Sequence, residues 1–397
     1  MEEQTKICII GLGYVGLPLF KIVSQHFKCC GIDCNNTLIQ NIKSQRIGSD
    51  DSVLTSNWKE VTDCNVFIVC VPTPINENKK PDLNSLRSVC ESLGALLKQS
   101  DLVIFESTVY PGATEEFCVP ILEHYSKLIL NEDFYVGYSP ERINVGDSEH
   151  TIDQVPKIIS GSNKNTLEKI YLIYRTFLGD NVVLAPSIKV AEAAKMYENI
   201  QRDVLIALAN EYADYCRKEG INIDDVTRCA STKWNFSNVR PGLVGGHCIS
   251  VDPYYLMAKA DNMDVELSII NAARNVNESE PIKIAVRIID ILKSKGIEVN
   301  RAKVLILGFT YKANVPDIRN TKTFDVLTYL KNMGCMVDCL DPLANPEAVH
   351  SEYGIELLNH IEHLTPEYDL VVELVPHSIF EQEVYQLLTP IKLKDLV

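Results

Sequence analysis

The chain has 397 residues, a formal charge of −15, and 46% hydrophobic residues. That length allows two or three domains, each with a sizeable core. The acidic balance excludes a general nucleic-acid binder, which needs a basic face against phosphates.

No apolar run approaches the ~18–20 residues that span a bilayer, so no membrane partner is expected. The acidic, polar start Met1-Glu2-Glu3-Gln4 does not read as a signal peptide. Thirteen cysteines are scattered along the chain, many in strand-like apolar runs such as those around Cys8, Cys70, Cys335 and Cys339. No Cys-x2-Cys pair occurs, so no metal site is expected, and His360 and His363 read as surface helix residues. An odd number of thiols without a secretion signal points to a reducing, cytoplasmic setting.

In chain order, 6–11 (KICIIG) reads as a strand that turns through glycines into a helix. A strand at 28–33, a helix at 36–44 and a buried strand at 65–71 follow. A helix at 83–97 and a strand at 102–106 continue the alternation, which indicates a parallel sheet covered on both faces. This region ends near Pro186. From 187 to 294 helical patterns dominate. One of them, 189–220, runs about thirty residues without internal Gly or Pro and closes on Gly220. At Lys303 a second α/β pattern begins: strand KVLILGF, helix 323–332, strand 336–340, and the strand-like 369–375. The fold class is therefore α/β, with two Rossmann-like doubly wound domains joined by a central helical domain with a long spine helix. The expected boundaries are 1–186, 187–294 and 295–397.

Gly11-Leu12-Gly13-Tyr14-Val15-Gly16 sits between the first strand and its helix. Its glycines permit a tight turn, close backbone approach to a pyrophosphate, and close helix–sheet packing. A helix N-terminus there favours the anion. Asp33 closes the second strand, where a carboxylate accepts from a ribose 2′-OH and repels a 2′-phosphate; this favours NAD over NADP. The pair Tyr255 and Lys259 has the Tyr-x3-Lys spacing of short-chain reductases, but lies outside the dinucleotide-binding half.

Gly245-Gly246-His247-Cys248 gives a cysteine backbone freedom and access, and Asp252 follows four residues later, placed to orient a water or a lysine. A buried structural thiol is the competing reading of the cysteine.

Taken together, these segments resemble the UDP-glucose/GDP-mannose dehydrogenase family. The resemblance spans nearly the whole chain, in order: GLGYVG, Val71-Pro72-Thr73-Pro74, Ser107-Thr108-Val109 before Pro111-Gly112, Ser139-Pro140-Glu141, the Lys195/Asn199 pair four apart on one helix face, GGHCISVDP, and KANVPDIR at 312–319. It implies a primary alcohol oxidised twice by NAD⁺ without release of the aldehyde. Lys195, through a water held by Asp252, is the implied base, and Asn199 helps to hold the oxygen. Cys248 is the implied nucleophile, and a nearby cation would favour its thiolate. Glu141 would activate the hydrolytic water, with Thr108 positioning it. NAD would contact Gly11, Gly13, Tyr14, Val15, Gly16, Asp33, Pro72, Thr73, Ser107, Thr108 and Arg319. The UDP-sugar would contact Glu141, Arg142, Lys195, Asn199, Arg240, Gly245, Phe309 (or Tyr311) and Lys312, with Arg319 as a phosphate partner of either the UDP or the NAD. A homodimer through the long helix is expected.

Members acting on UDP-glucose or GDP-mannose usually carry Ser before the cysteine and Lys before the aspartate. Here His247 and Val251 stand there. Gly-Gly-His-Cys-Ile, Arg240-Pro241-Gly242 and GYSPERIN resemble the branch acting on UDP-N-acetylglucosamine or UDP-N-acetylgalactosamine, whose uronic acids feed surface polysaccharides. UDP-glucose oxidation, a single-step dehydrogenase with an idle cysteine, and a catalytically idle NAD- or sugar-nucleotide-binding regulator are the competing functions. The final KLKDLV reads as the start of a strand, and the family resemblance implies further residues beyond Val397.

Overall fold

The computed structural model describes residues 5–49, 51–143, 152, 154–364, 367–385 and 388–397. Residues 1–4, Asn144 at the end of GYSPERIN, and the side chain of His363 lie outside the described residues. The chain divides into two compact units: Met1–Glu198 with Tyr254–Val265, and Asn199–Pro253 with Glu266–Val397.

The first unit is built on eight strands: β1 (Lys6–Ile10), β2 (Lys28–Ile32), β3 (Val53–Thr55), β4 (Val66–Val69), β5 (Leu102–Phe105), β6 (Tyr135–Tyr138), β7 (Lys157–Gly161) and β8 (Val182–Leu184). Their order is β3-β2-β1-β4-β5-β6-β7-β8. All neighbours are parallel except β6 and β7, which pair antiparallel. Strands buried on both faces are apolar throughout their buried length, as are VFIV, LVIF and KICII beyond its half-buried first residue, Lys6. Ile7 and Ile9 face one layer with Leu19, Phe20, Ile39 and Ile170. Cys8 and Ile10 face the other with Leu86, Leu93 and Leu122.

The second unit carries a four-stranded parallel sheet, β9 (Lys303–Leu307), β10 (Met336–Leu340), β11 (Leu370–Glu373) and β12 (Ile391–Lys392), in the order β10-β9-β11-β12. The fold class expected from the pattern is the one observed. The end of the chain differs: the strand covers only Ile391–Lys392, and Leu393–Leu396 forms a helical turn. In KLKDLV, Asp395 accepts from the Lys392 backbone N–H at 3.3 Å, closing a helix cap where a strand start was expected.

The long helix runs Ile188–Glu219, 32 residues, roughly 48 Å at 1.5 Å per residue. Gly220 follows at φ +71°, the left-handed conformation that ends helices. Within the second unit it is tied to the helix Ser268–Ser294 by buried polar bonds. Asp203 accepts from Arg274 at 2.6 Å and from Asn277 at 2.8 Å. Asn277 in turn accepts from Asn210, whose amide group exchanges bonds with both the N–H and the carbonyl of Gly242. Side-chain burial is essentially complete: 2% exposure for Arg274 and none for Asp203. Removing one partner of such a pair costs about 3–5 kcal/mol, because the other charge stays buried. Arg274→Leu is therefore expected to lower unfolding stability by about that amount in a urea titration of the second unit's signal.

Candidate active site

In the first unit the strand order reverses between β1 and β4, and ligands of open α/β sheets bind outside the carboxyl ends of the strands at that point. The glycine turn lies there. Gly11 has φ +87°, and a Cβ on it would sit 3.0 Å from the Cys70 carbonyl oxygen. A Cβ on Gly16 would sit 1.8 Å from the Gly11 oxygen, so the helix Gly16–Val23 can begin only on a glycine. Gly13 has nothing within 4 Å of its would-be Cβ: the turn leaves room for a ligand there. Val15 adds no side-chain cap to the helix start, which leaves that helix end suited to phosphate. Asp33 accepts from Leu12 N–H and Asn35 N–H, both at 2.8 Å. Its half-buried carboxylate is thereby fixed beside the turn with lone pairs left for a ribose hydroxyl. Open space at Gly13, an N-terminus without a side-chain cap and a fixed carboxylate fit NAD.

The loops after β4 and β5 are laced together. Ser107 Oγ donates to the Val71 carbonyl at 2.7 Å, and Thr73 Oγ1 to the Thr108 carbonyl at 2.6 Å. Tyr255 donates to the Pro74 carbonyl at 3.1 Å, so the Tyr-x3-Lys tyrosine braces this loop. Glu192, on the long helix, accepts from Gly112 N–H and, at 2.9 Å, from Thr114 N–H.

Glu141 follows β6. One of its oxygens accepts from Arg142 N–H at 2.6 Å and Ile143 N–H at 2.7 Å; the other lies 3.2 Å from Lys157 Nζ. Burial pushes this carboxyl up, but the Lys157 charge and the backbone donors outweigh it and hold Glu141 below its ordinary value. Arg142 spends its guanidinium on Glu198, at 2.7 and 3.1 Å, and on the Pro156 carbonyl.

Lys195 and Asn199, four apart on the long helix, are both buried, not on an exposed face. In the second unit, the 245–251 loop is held by three bonds to backbone carbonyls. Asn320 donates to Gly246 at 3.0 Å, Ser250 Oγ also donates to Gly246, and Asp252 N–H donates to Cys248 at 2.9 Å. Gly246 sits at φ +81° against the Tyr311 ring, 2.7 Å from where a Cβ would be. Cys248 is exposed, unlike ten of the thirteen thiols. Asp252, 2% exposed, accepts from Asn199 Nδ2 at 2.6 Å.

A cleft of about 260 Å³ opens at the carboxyl ends of β9 and β11, the switch point of the second sheet. Arg240, Gly245, Tyr311, Lys312 and Lys322 line it. Phe309 does not: its ring is fully buried in the core, edge-on to Tyr353 at 5.3 Å. Arg319 lies off the cleft lining, with its guanidinium on Asp317 at 2.5–3.1 Å. Arg240 also pairs with Asp224 at 2.6 Å. Sequence reasoning missed Lys157, Glu106, Glu192 and Lys322. A single charged residue at a strand end or in a helical pattern carries no spacing signal, and only the folded contacts reveal it.

A mostly parallel and a fully parallel sheet, each with an open edge at its switch point, and an exposed cysteine in a glycine loop fit a nucleotide-dependent α/β dehydrogenase. The family models of the UDP-glucose/GDP-mannose dehydrogenases match in order: the NAD binding domain over residues 5–178, the central domain over 189–279 and the UDP binding domain over 305–395. The chain belongs to this family and is an NAD-dependent UDP-sugar dehydrogenase. It is 44% identical over 394 residues to the UDP-N-acetyl-D-glucosamine 6-dehydrogenase of Salmonella typhi, covering 96% of this chain and 92% of that one. The Pseudomonas aeruginosa enzyme of the same name is 44% identical over 391 residues, with the same coverage. Among solved structures, the UDP-D-ManNAc dehydrogenase of Pyrococcus horikoshii superposes with a TM-score of 0.87 at 27% identity, covering 99% of this chain and 96% of that one. No helix among the described residues is long and apolar enough to cross a membrane.

Gly13→Val fills the open space at the turn without striking protein. It is expected to abolish NAD⁺ binding in a calorimetric titration while leaving the melting temperature near wild type. Gly16→Ala, which drives Cβ into the Gly11 oxygen, is expected to lower both.

Proposed function

We propose that the protein oxidises the C6 hydroxyl of a UDP-N-acetylhexosamine, GlcNAc or GalNAc, to the carboxylate in two steps through a covalent Cys248 intermediate. The observation that carries this reading is the exposed Cys248 thiol in a loop whose own carbonyl anchors Asp252, itself bonded to Asn199. NAD⁺, when bound, supplies the hydride acceptor for each step. The 11–16 turn, Asp33, Pro72, Thr73, Ser107 and Thr108 hold it.

Lys195, with Asp252 and Asn199, removes the C6 hydroxyl proton and then holds the developing oxyanion. The Cys248 thiolate attacks the aldehyde carbon: a C–S bond forms, the carbonyl π bond opens onto oxygen, and Lys195 returns to that oxygen the proton it took. Loss of hydride and of the hydroxyl proton from this thiohemiacetal leaves a thioester. Water, placed by Thr108, attacks the thioester carbon; Glu141 takes its proton, the C–S bond breaks, and Cys248 leaves as thiolate. Covalent capture keeps the aldehyde on the enzyme, so one site can complete a four-electron oxidation. Ionised at neutral pH, Glu141 is suited to orienting that water.

The UDP half takes the second unit's cleft. Arg240, Lys312 and Lys322 offer cations to its diphosphate, and Gly245 lets the backbone come close. Arg319 contributes to phosphate binding by exchanging its Asp317 partner, and Arg142 to sugar binding by exchanging Glu198. Phe309 supports the cleft from beneath. The functional modules are 1–186 for NAD, 187–294 for the Lys/Asn and cysteine chemistry, and 295–397 for UDP. Exposed Leu208, Tyr212 and Tyr215 along the long helix support a homodimer. Thirteen cysteines without a disulfide fit a cytoplasmic enzyme.

The two 44% identical relatives support the gluco N-acetyl sugar. The likeness to the Pyrococcus horikoshii structure makes UDP-N-acetylmannosamine a second reading. The test is NADH counted at limiting UDP-N-acetylglucosamine, UDP-N-acetylgalactosamine, UDP-N-acetylmannosamine and UDP-glucose. Two NADH per UDP-N-acetylglucosamine or UDP-N-acetylgalactosamine are expected, and Cys248→Ser is expected to lose at least about a hundredfold in rate. Turnover of UDP-N-acetylmannosamine or UDP-glucose alone would replace the sugar assignment. One NADH per sugar would remove the covalent route, and none, with NAD⁺ still bound, would leave a regulator.

A further inference from the structure

Lys157 opens β7, and because β7 runs antiparallel to β6, its first residue lies at the edge where β5 and β6 end. There Lys157 Nζ donates to Glu106 Oε2 at 2.8 Å and to Glu141 Oε2 at 3.2 Å. Tyr174 donates to the other Glu106 oxygen at 2.5 Å. Side-chain exposure is 3% for Lys157, none for Glu106 and 11% for Glu141.

Two buried carboxylates this close to one ammonium cannot both stay charged without it. Burial pushes Glu106 up, and its negative neighbour adds to that. Burial pushes Lys157 down, but the two carboxylates outweigh it and hold the ammonium charged. Glu141 ends on the ionised side, with its two oxygens fixed from opposite directions by Lys157 and by backbone N–H groups. A packing role alone would be served by an apolar residue, since replacing buried charges by hydrophobic groups is often neutral or stabilising.

We propose that Lys157 is a positioning residue for the hydrolytic half of the reaction: bridging Glu106 and Glu141, it holds the Glu141 carboxylate charged and aimed at the water that cleaves the thioester. This rests on the reading of Glu141 as the acceptor of that water's proton. Lys157 acts through Glu141, to which its ammonium is bonded. Its removal lets Glu106 and Glu141 share a proton, and the group that must accept one from water is then already occupied.

Both hydrides are transferred before the thioester is hydrolysed, so the two halves of the reaction separate in a rapid-mixing experiment with UDP-N-acetylglucosamine. Lys157→Met is expected to give a fast burst of NADH, two per active site, followed by a steady state slowed about a hundredfold. Its steady-state rate should rise with pH as the proton shared by the two buried carboxylates is lost, while the wild type stays flat. Lys157→Arg restores the cation and should bring rate and profile back toward wild type. If Lys157→Met does not fold, Lys157→Gln, which keeps amide donors beside the two carboxylates but removes the charge, should show the same burst and the same pH dependence. A variant that slows burst and steady state alike, or that keeps the flat profile, overturns the proposal. Glu141→Gln serves as the reference: if it hydrolyses the thioester at the wild-type rate, the reading of Glu141 fails, whatever the lysine variants do.

Discussion

Parallel strand pairing sets where chemistry is possible in this protein. In each sheet, successive crossovers leave the first strand in opposite directions, and the carboxyl ends of two neighbouring strands are left uncovered between them. The glycine turn of the first unit and the cationic cleft of the second both occupy such a gap. Neither gap needs a dedicated scaffold, because the apolar strands that make the core also fix the edge. The single antiparallel pair, β6 with β7, adds one further residue to the first edge, and that residue is a lysine.

Charge is handled locally against a strongly acidic background. The chain carries −15 in all, yet Arg240, Lys312 and Lys322 gather at the cleft of the second unit. The buried ionic groups are each satisfied by several partners. Asp203 takes Arg274 and Asn277, and Glu141 takes Lys157 and two backbone donors. Such arrangements fix geometry more than they add stability, since desolvation offsets most of the attraction. The polar chain Asp203–Asn277–Asn210–Gly242 illustrates the use. It links two long helices to Gly242, two residues from Arg240 of the cleft.

The sequence was legible where a residue type has one physical reason to be present. A turn needing positive φ at Gly11 and no Cβ at Gly16 can be read from spacing, and so can the carboxylate that closes β2. The cysteine loop was legible through its glycines. Lys157 and Glu106 were not, because each is a lone charge at the end of an apolar run, a position that usually faces solvent. Their meeting depends on an antiparallel strand that no local pattern announces. Phe309 was a reasonable candidate beside Tyr311, but β9 ends at Leu307 and the chain turns at Gly308 (φ +89°), so the Phe309 ring is buried in the core while Tyr311, beyond the turn, lines the cleft. KLKDLV reads as a strand start, but its apolar residues at 393, 396 and 397 do not alternate, and the Asp395 cap makes it a helical turn.

The central claim is a covalent link between Cys248 and the oxidised sugar. It is tested most directly by acid-quenching the enzyme during turnover of UDP-N-acetylglucosamine with NAD⁺ and mapping the digest by mass spectrometry. The account predicts a UDP-uronyl thioester on the peptide containing Cys248, absent without NAD⁺. Full oxidation of the sugar with that peptide unmodified at every quench time, including in Glu141→Gln, would contradict it.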